Sequence, residues 1–330
     1  MNRDILSTTL RKIVDHERDL LFRTVPFLDA AQRLGGVSDD ASGSSYNVPV
    51  VSDDHAEITE FTGSGYQAYS AANQESLQNL SYQYAMAGTS ARISTKERLH
   101  NMKPGMEQRV ELASQRIRQV RAKFGRSFEQ QILRGDVTTL TKWNTLNGGF
   151  NSGSSRPNGF MYAGATPTDG GTVGGLARSV AEGLQNMRES QGSGELSDAI
   201  TLADNEAQAF SEEGPVRSLF MLPEYLAELE AEAKDLTRYV DPDAIDSGVK
   251  VASFRGARCY STKFMPPVSP STVKVYGPNF DGIKLVFHKG ADFRFRRWER
   301  IPGTEQELAS ILLSGQLVAH HLASSFVVVA

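Results

Sequence analysis

The sequence predicts an α+β protein: a long helix packed on a β-sheet, an extended β-hairpin and a further mixed domain. Three stretches carry that prediction. Between Pro104 and Gly135, apolar residues fall at Met106, Val110, Ala113, Ile117, Val120, Phe124, Phe128 and Ile132. Steps of three and four put them on one side of an α-helix. Between Tyr46 and Ile93 the chain is rich in Tyr, Thr, Ser and Val, the texture of a strand pair. Beyond Val273, Ile283, Leu285 and Phe287 alternate with Lys284, Val286 and His288, the period of a strand.

Composition sets the frame. The chain has 330 residues, 39% apolar and 22% charged, enough for two domains or one elaborated one. A net charge of −4 argues against a strongly nucleic-acid-binding surface. The single Cys259 excludes an intramolecular disulfide and reads as a small residue in a strand. No Cys/His cluster has zinc spacing. No apolar run reaches membrane-spanning length, and the charged start lacks the apolar core of a signal peptide. The expectation is a protein made and used, or assembled, in the cytosol.

Taken in order, Ile5 to Leu21 carry a helical pattern that Pro26 and Gly35-Gly36 interrupt, and Asp39 to Ser45 read as a turn-rich linker. This segment is too short to bury its own stripe and reads as an arm. Two long strands are expected at about Ala56–Thr62 and Gln78–Ile93. Large aliphatics are scarce there, so the hairpin carries little core and suits a partner surface.

The long helix spans roughly 40 Å at 1.5 Å per residue. Arg109, Arg116, Arg118, Arg121, Lys123 and Arg126 fall largely on its other sides. Two readings stay open: a surface helix with a solvated basic face, or a strut between a sheet and a neighbouring subunit.

Residues 136–175 read as irregular, solvent-facing chain, with a helix expected at Leu176–Glu189. The glycines just before it lack the spacing and lysine of a phosphate-binding loop, so a hinge is the expectation. Ser218–Leu222 reads as a buried strand. Pro223 then opens an acidic helix with Leu226, Leu229 and Leu236 inward. Asp241, Asp243 and Asp246 miss the calcium-loop spacing and read as turn formers. Arg255-Gly256 joins a hairpin of 249–254 with 257–261. Phe293 and Phe295 alternate with Arg294 and Arg296. Leu317, Ala319 and His321 alternate with Val318, His320 and Leu322, and Phe326–Val329 closes the chain. His320 and His321 are expected on opposite faces of a strand, unsuited to a joint metal site.

This order of parts resembles the tailed-phage major capsid proteins of the Hong Kong 97 fold. Phe61-Thr-Gly-Ser-Gly-Tyr66 lies in the stretch similar to the family's extended loop, and Met106–Arg134 resembles its spine helix. Arg156-Pro-Asn-Gly-Phe160 is similar to the short step that follows. Phe220-Met-Leu-Pro-Glu224, the stretch 256–266 and Lys284–Trp298 resemble axial-domain and peripheral-domain strands. The resemblance implies an N-terminal arm at 1–45, an extended loop at 46–93 and a peripheral domain with the spine helix at 94–172. It places an axial domain at 173–270 and closing peripheral strands at 271–330.

The resemblance also implies a role. The expected protein is a structural virion component, a capsid subunit that self-assembles through hexamers and pentamers into an icosahedral bacteriophage shell. The shell encloses double-stranded DNA without sequence-specific binding and is assembled in the host cytoplasm. Portal, scaffolding and decoration proteins are candidate partners, and no membrane is. The alternatives are an encapsulin-like nanocompartment shell and, in a different class, a cytosolic enzyme. No G-x-S-x-G or H-E-x-x-H motif supports the enzyme. No catalytic, cofactor-binding or metal-binding residue is nominated. In the type member an extended-loop lysine is crosslinked to an asparagine of another subunit. Tyr46 to Ile93 holds Arg92 but no lysine, the nearest being Lys96. Nor does the start look like a long cleavable scaffolding segment.

Overall fold

A computed structural model describes residues 25–41, 43–51, 77–100, 107–149, 159–166, 168, 170–209, 215–232, 252–266, 273–296 and 298–330. The expected Ile5–Leu21 helix, the Ala56–Thr62 strand, the Arg156-Pro-Asn step and Asp241, Asp243 and Asp246 lie outside these residues.

Pro26, read from sequence as a break, opens helix α1 (Pro26–Arg33), because a proline fits the first helical turn. The helix buries Phe27, Leu28, Ala30 and Ala31 in the main core, so this part of the expected arm is integral to the fold. The expected linker is instead strand β1 (Val37–Ala41), paired parallel to the later β14 (Ile283–Phe295), followed by β2 (Ser45–Val51).

Strand β2 runs antiparallel to β3 (Leu77–Gln83), with Tyr46 opposite Tyr82 and Val48 opposite Leu80. The single strand expected over Gln78–Ile93 is two. It breaks at Tyr84, whose N–H donates to Ser44 O at 3.2 Å and whose ring meets His288 edge-on at 4.5 Å. Strand β4 (Ala85–Ser94) then leaves the hairpin and pairs along the 14-residue β16 (Gln306–Ala319). Those ten pairs, Ser94 with Gln306 through Ala85 with Gly315, give β4 more backbone bonding than a free hairpin arm has.

Short helix α2 (Thr95–His100) leads to α3 (Glu107–Arg134), the expected long helix. Its stripe is inward: Ile117, Phe124, Phe128 and Ile132 are buried. Phe128 meets Trp143 and Phe293 edge-on, and Phe124 also meets Phe293. Gly135 closes the helix at φ 73°, a conformation that a Cβ disfavours.

The chain after α3 was expected to face solvent, yet residues 143–149 and 159–164 are buried. Polar side chains make this tolerable. Thr145 Oγ1 donates to Ile132 O and Asn147 Nδ2 to Arg134 O, both at 2.9 Å, satisfying carbonyls at the helix end. Asn144 Nδ2 donates to Leu317 O at 2.7 Å and ties the segment to β16. Strands β5 (Thr145–Asn147) and β6 (Gly159–Met161) pair parallel within it.

No α-helix forms at Leu176–Glu189. A tight hairpin of β7 (Thr172–Val173) and β8 (Leu176–Ala177) precedes two single 3₁₀ turns, and β9 (Met187–Ser190) follows. Gly174 and Gly175 have φ of 56° and 88°, so they turn a hairpin where a helix entry was expected. The next α-helix is instead α4 (Leu196–Ala209), which the sequence reading did not identify.

Strand β10 (Ser218–Met221), helix α5 (Pro223–Glu232) and the hairpin of β11 (Ala252–Phe254) with β12 (Ala257–Ser261) match expectation as far as they are described; Leu236 and residues 249–251 lie outside the described residues. Strands β13 (Val273–Gly277) and β17 (Phe326–Val329) do not join the closing set expected over 271–330. They pair with each other in a six-stranded sheet of order β11-β12-β10-β13-β17-β9. Strands β1, β14, β16, β4 and the short β15 (Glu299–Arg300) form the five-stranded sheet.

The six-stranded sheet explains its apolar sequence. Leu219, Met221, Cys259, Val275, Phe326 and Val328 face α4 and α5, whereas Phe220, Tyr260, Tyr276, Val327 and Val329 join the core containing Phe124 and Phe128. A strand covered on both faces reads as a continuous apolar run, which is why Phe326–Val329 shows no alternation.

Candidate assembly surface

The strand pair β2–β3 is two-sided. Leu80 and Tyr82 are buried in the main core, with Tyr46, Val48 and Val50 packed against it. This departs from the expectation of a hairpin with little core. On the opposite face Asn47, Pro49, Asn79, Ser81 and Gln83 are exposed. Two large apolar side chains break that polar pattern: Leu77 and, on β4, Met86 are each 69% exposed. Apolar groups presented on strands suit coverage by another chain.

A buried arginine beside Tyr82 of the hairpin base anchors the chain around it. Arg178, in the first 3₁₀ turn, is fully buried, and no carboxylate pairs with it among the described residues. All five of its N–H groups are used instead. Nε donates to Gly170 O at 3.3 Å, and Nη1 to Leu184 O and Asn186 Oδ1 at 3.1 Å each. Nη2 donates to Gly159 O and Phe160 O at 2.6 and 2.7 Å. Burial lowers the guanidinium to about 10, so it remains charged near neutrality. Beside it, burial pushes the Tyr82 phenol up, and Tyr82 OH donates to Ala319 O at 2.5 Å. Ser81 N–H reaches Gly174 O at 2.8 Å, where an added Cβ would approach Leu80 Cβ to 2.8 Å. Hairpin base, glycine turn and sheet are therefore fixed to one another.

The outer side of α3 is basic and polar. Arg118, Lys123 and Arg126 are exposed, and Arg116 Nη2 pairs with Glu97 Oε1 at 3.0 Å. Arg92 on β4 and Lys96 on α2 are also exposed. His320 and His321 lie just beyond β16 and not within a strand; His321 Nδ1 is 3.4 Å from Ser324 Oγ. Cys259 is fully buried, which pushes its thiol up to about 12. No group of three or more His, Cys, Asp or Glu able to hold a metal occurs among the described residues. Arg178 and Asn186 were not singled out from sequence, and Tyr82 was read only as part of a strand's alternation. The glycines around Arg178 were visible, but nothing in a lone arginine announces burial.

No protein-family description matches the chain, and no curated protein matches it. Solved structures do. The cyanophage A-1(L) capsid asymmetric unit is similar at TM-score 0.54 and 14% identity, with 92% of each chain covered. The capsid of Myoviridae phage XM1 gives 0.53 and 11%, covering 91% of this chain and 90% of that one. The holo-SrpI encapsulin complex from Synechococcus elongatus PCC 7942 gives 0.50 and 10%, covering 91% and 86%. At these identities what is shared is architecture: the chain has the Hong Kong 97-like fold found in tailed-phage capsid subunits.

Proposed function

We propose that the chain is the major capsid protein of a tailed double-stranded DNA bacteriophage, self-assembling into its icosahedral head shell. The observation that carries this reading is the likeness in fold to phage capsid subunits over 91–92% of the chain. The exposed Leu77 and Met86 support it, because they lie on strands whose other faces are already anchored.

The work of such a subunit is association rather than catalysis. Each contact with a neighbour is modest, but a closed shell repeats it many times, and binding that selects the folded subunit stabilises it. A rigid hairpin base lowers the ordering cost of docking. The partners are further copies, in hexamers and pentamers, with portal, scaffolding or decoration proteins as additional ones. The enclosed DNA is not read by sequence. The place of action is the virion, after assembly in the host cytoplasm. No helix among the described residues is long and apolar enough to cross a membrane.

A second reading, a cellular nanocompartment shell, is favoured by the encapsulin likeness. Sedimentation of the purified chain tests both readings against a third, a soluble enzyme. Shells or capsomers are expected. A stable 36.1 kDa monomer under all assembly conditions contradicts both shell readings. Terminase and portal genes beside the coding sequence separate the phage from the nanocompartment.

A further inference from the structure

Glu129 lies on α3 and is 4% exposed. Its Oε1 accepts a hydrogen bond from Thr262 Oγ1 at 3.0 Å, in the turn that follows β12. Thr262 Oγ1 also accepts from Phe264 N–H at 3.3 Å, fixing the hydroxyl in that turn. One neutral hydroxyl thus joins a buried acid on the spine helix to the six-stranded sheet.

The charged groups nearby do not neutralise it. Lys263, on the same turn, is exposed and holds its Nζ 5.4 Å from the Phe264 ring centroid. Arg126, three residues earlier on α3, is exposed. On α1, which packs against α3, Asp29 is paired with Arg33 at 2.9 Å. Its other oxygen lies 3.4 Å from the Tyr260 hydroxyl of β12. None of these cations forms an ion pair with Glu129 among the described residues.

A carboxylate removed from water needs a paired charge or several donors, and a single hydroxyl is too little. We propose that Glu129 is a protonation-dependent latch between the spine helix and the six-stranded sheet. Neutral, the carboxyl stays seated on Thr262. Ionised, it drives the 262–266 turn outward until water reaches it. Burial supports this by pushing the acid from 4.5 up to about 7, against the opposing Thr262 bond and the Lys263 charge. The seated form therefore holds the extra proton between those two values. The latch is fully closed below 4.5, and its stabilisation is lost as pH rises through 7.

The latch belongs to the single chain, so it is independent of shell formation. Hydrogen exchange of the full chain, corrected for intrinsic rates, tests it over residues 125–133 and 258–266. Opening should be about tenfold more frequent at pH 8 than at pH 6, the linkage of one proton with a seated value near 7. Glu129→Gln keeps the shape without the charge and should remove that difference. Thr262→Val removes the donor to the ionised form and should move the midpoint to higher pH. Equal opening at both pH values in the unaltered chain overturns the latch, as does an undiminished difference in E129Q. Should E129Q fail to fold, an unmoved midpoint in T262V overturns it instead.

Discussion

Arg178 Nη1 donates to Asn186 Oδ1 at 3.1 Å, and that same oxygen accepts the Tyr162 N–H at 2.8 Å. Asn186 Nδ2 returns a hydrogen bond to Tyr162 O at 3.1 Å. A buried cation is thus solvated by protein carbonyls and one amide in place of water. Removing it strands several acceptors at once, each carrying its own desolvation penalty. Arg178→Ala is expected to cost about 3–5 kcal/mol, or to give insoluble protein. Arg178→Lys should also destabilise, because three donors on a point charge cannot serve five directions. Urea unfolding checks this. A lysine variant with the parental midpoint contradicts the anchor.

Leu77→Asp and Met86→Asp separate folding from assembly. Both side chains are 69% exposed, so each change should shift subunit stability by only about 0.5 kcal/mol. Placed against a neighbour, the new charge is desolvated and should sharply lower the yield of shells. Normal particles from both variants remove these residues from the interface.

The spine helix makes the opposite contrast. Ile117→Asp or Phe124→Asp puts a charge into the packed face and should cost about 3 kcal/mol or more. Lys123→Ala, on the exposed side, should melt within a few degrees of the unaltered chain. Circular dichroism melting distinguishes the two sets, and equal melting of all three contradicts the facing assigned to α3.

How much of this was legible depended on whether structure is written in periodicity. The α3 stripe and the Arg255-Gly256 turn, with φ of 51° and 83°, follow from local rules and were readable. The break at Tyr84 was not, because Gln78–Ile93 alternates through a point where pairing changes from β2 to β16. The burial of residues 143–149 was hidden by composition. Asn144, Thr145 and Asn147 read as loop formers, yet their side chains cap α3 and bond β16, contacts set by tertiary placement. The role of Glu129 was likewise invisible, since its partner Thr262 lies 133 residues away.

Covalent crosslinking gives a clean prediction from absence. An isopeptide bond needs an uncharged lysine amine, and residues 46–93 contain no lysine. Arg92 cannot substitute, because a guanidinium does not deprotonate to a nucleophile. Lys96 sits on α2, directly after a strand, β4, that is fixed along β16 up to Ser94. Particles boiled in detergent should run as one band near 36.1 kDa. A ladder surviving boiling and reductant contradicts this and makes Lys96 the first residue to replace.

The most direct measurement of the central claim is electron cryo-microscopy of the purified, assembled protein. The account predicts closed icosahedral particles in which Leu77 and Met86 are covered by an adjacent subunit. It also predicts the spine helix packed on its own five-stranded sheet. A discrete soluble monomer, or particles that leave both side chains facing solvent, contradicts it.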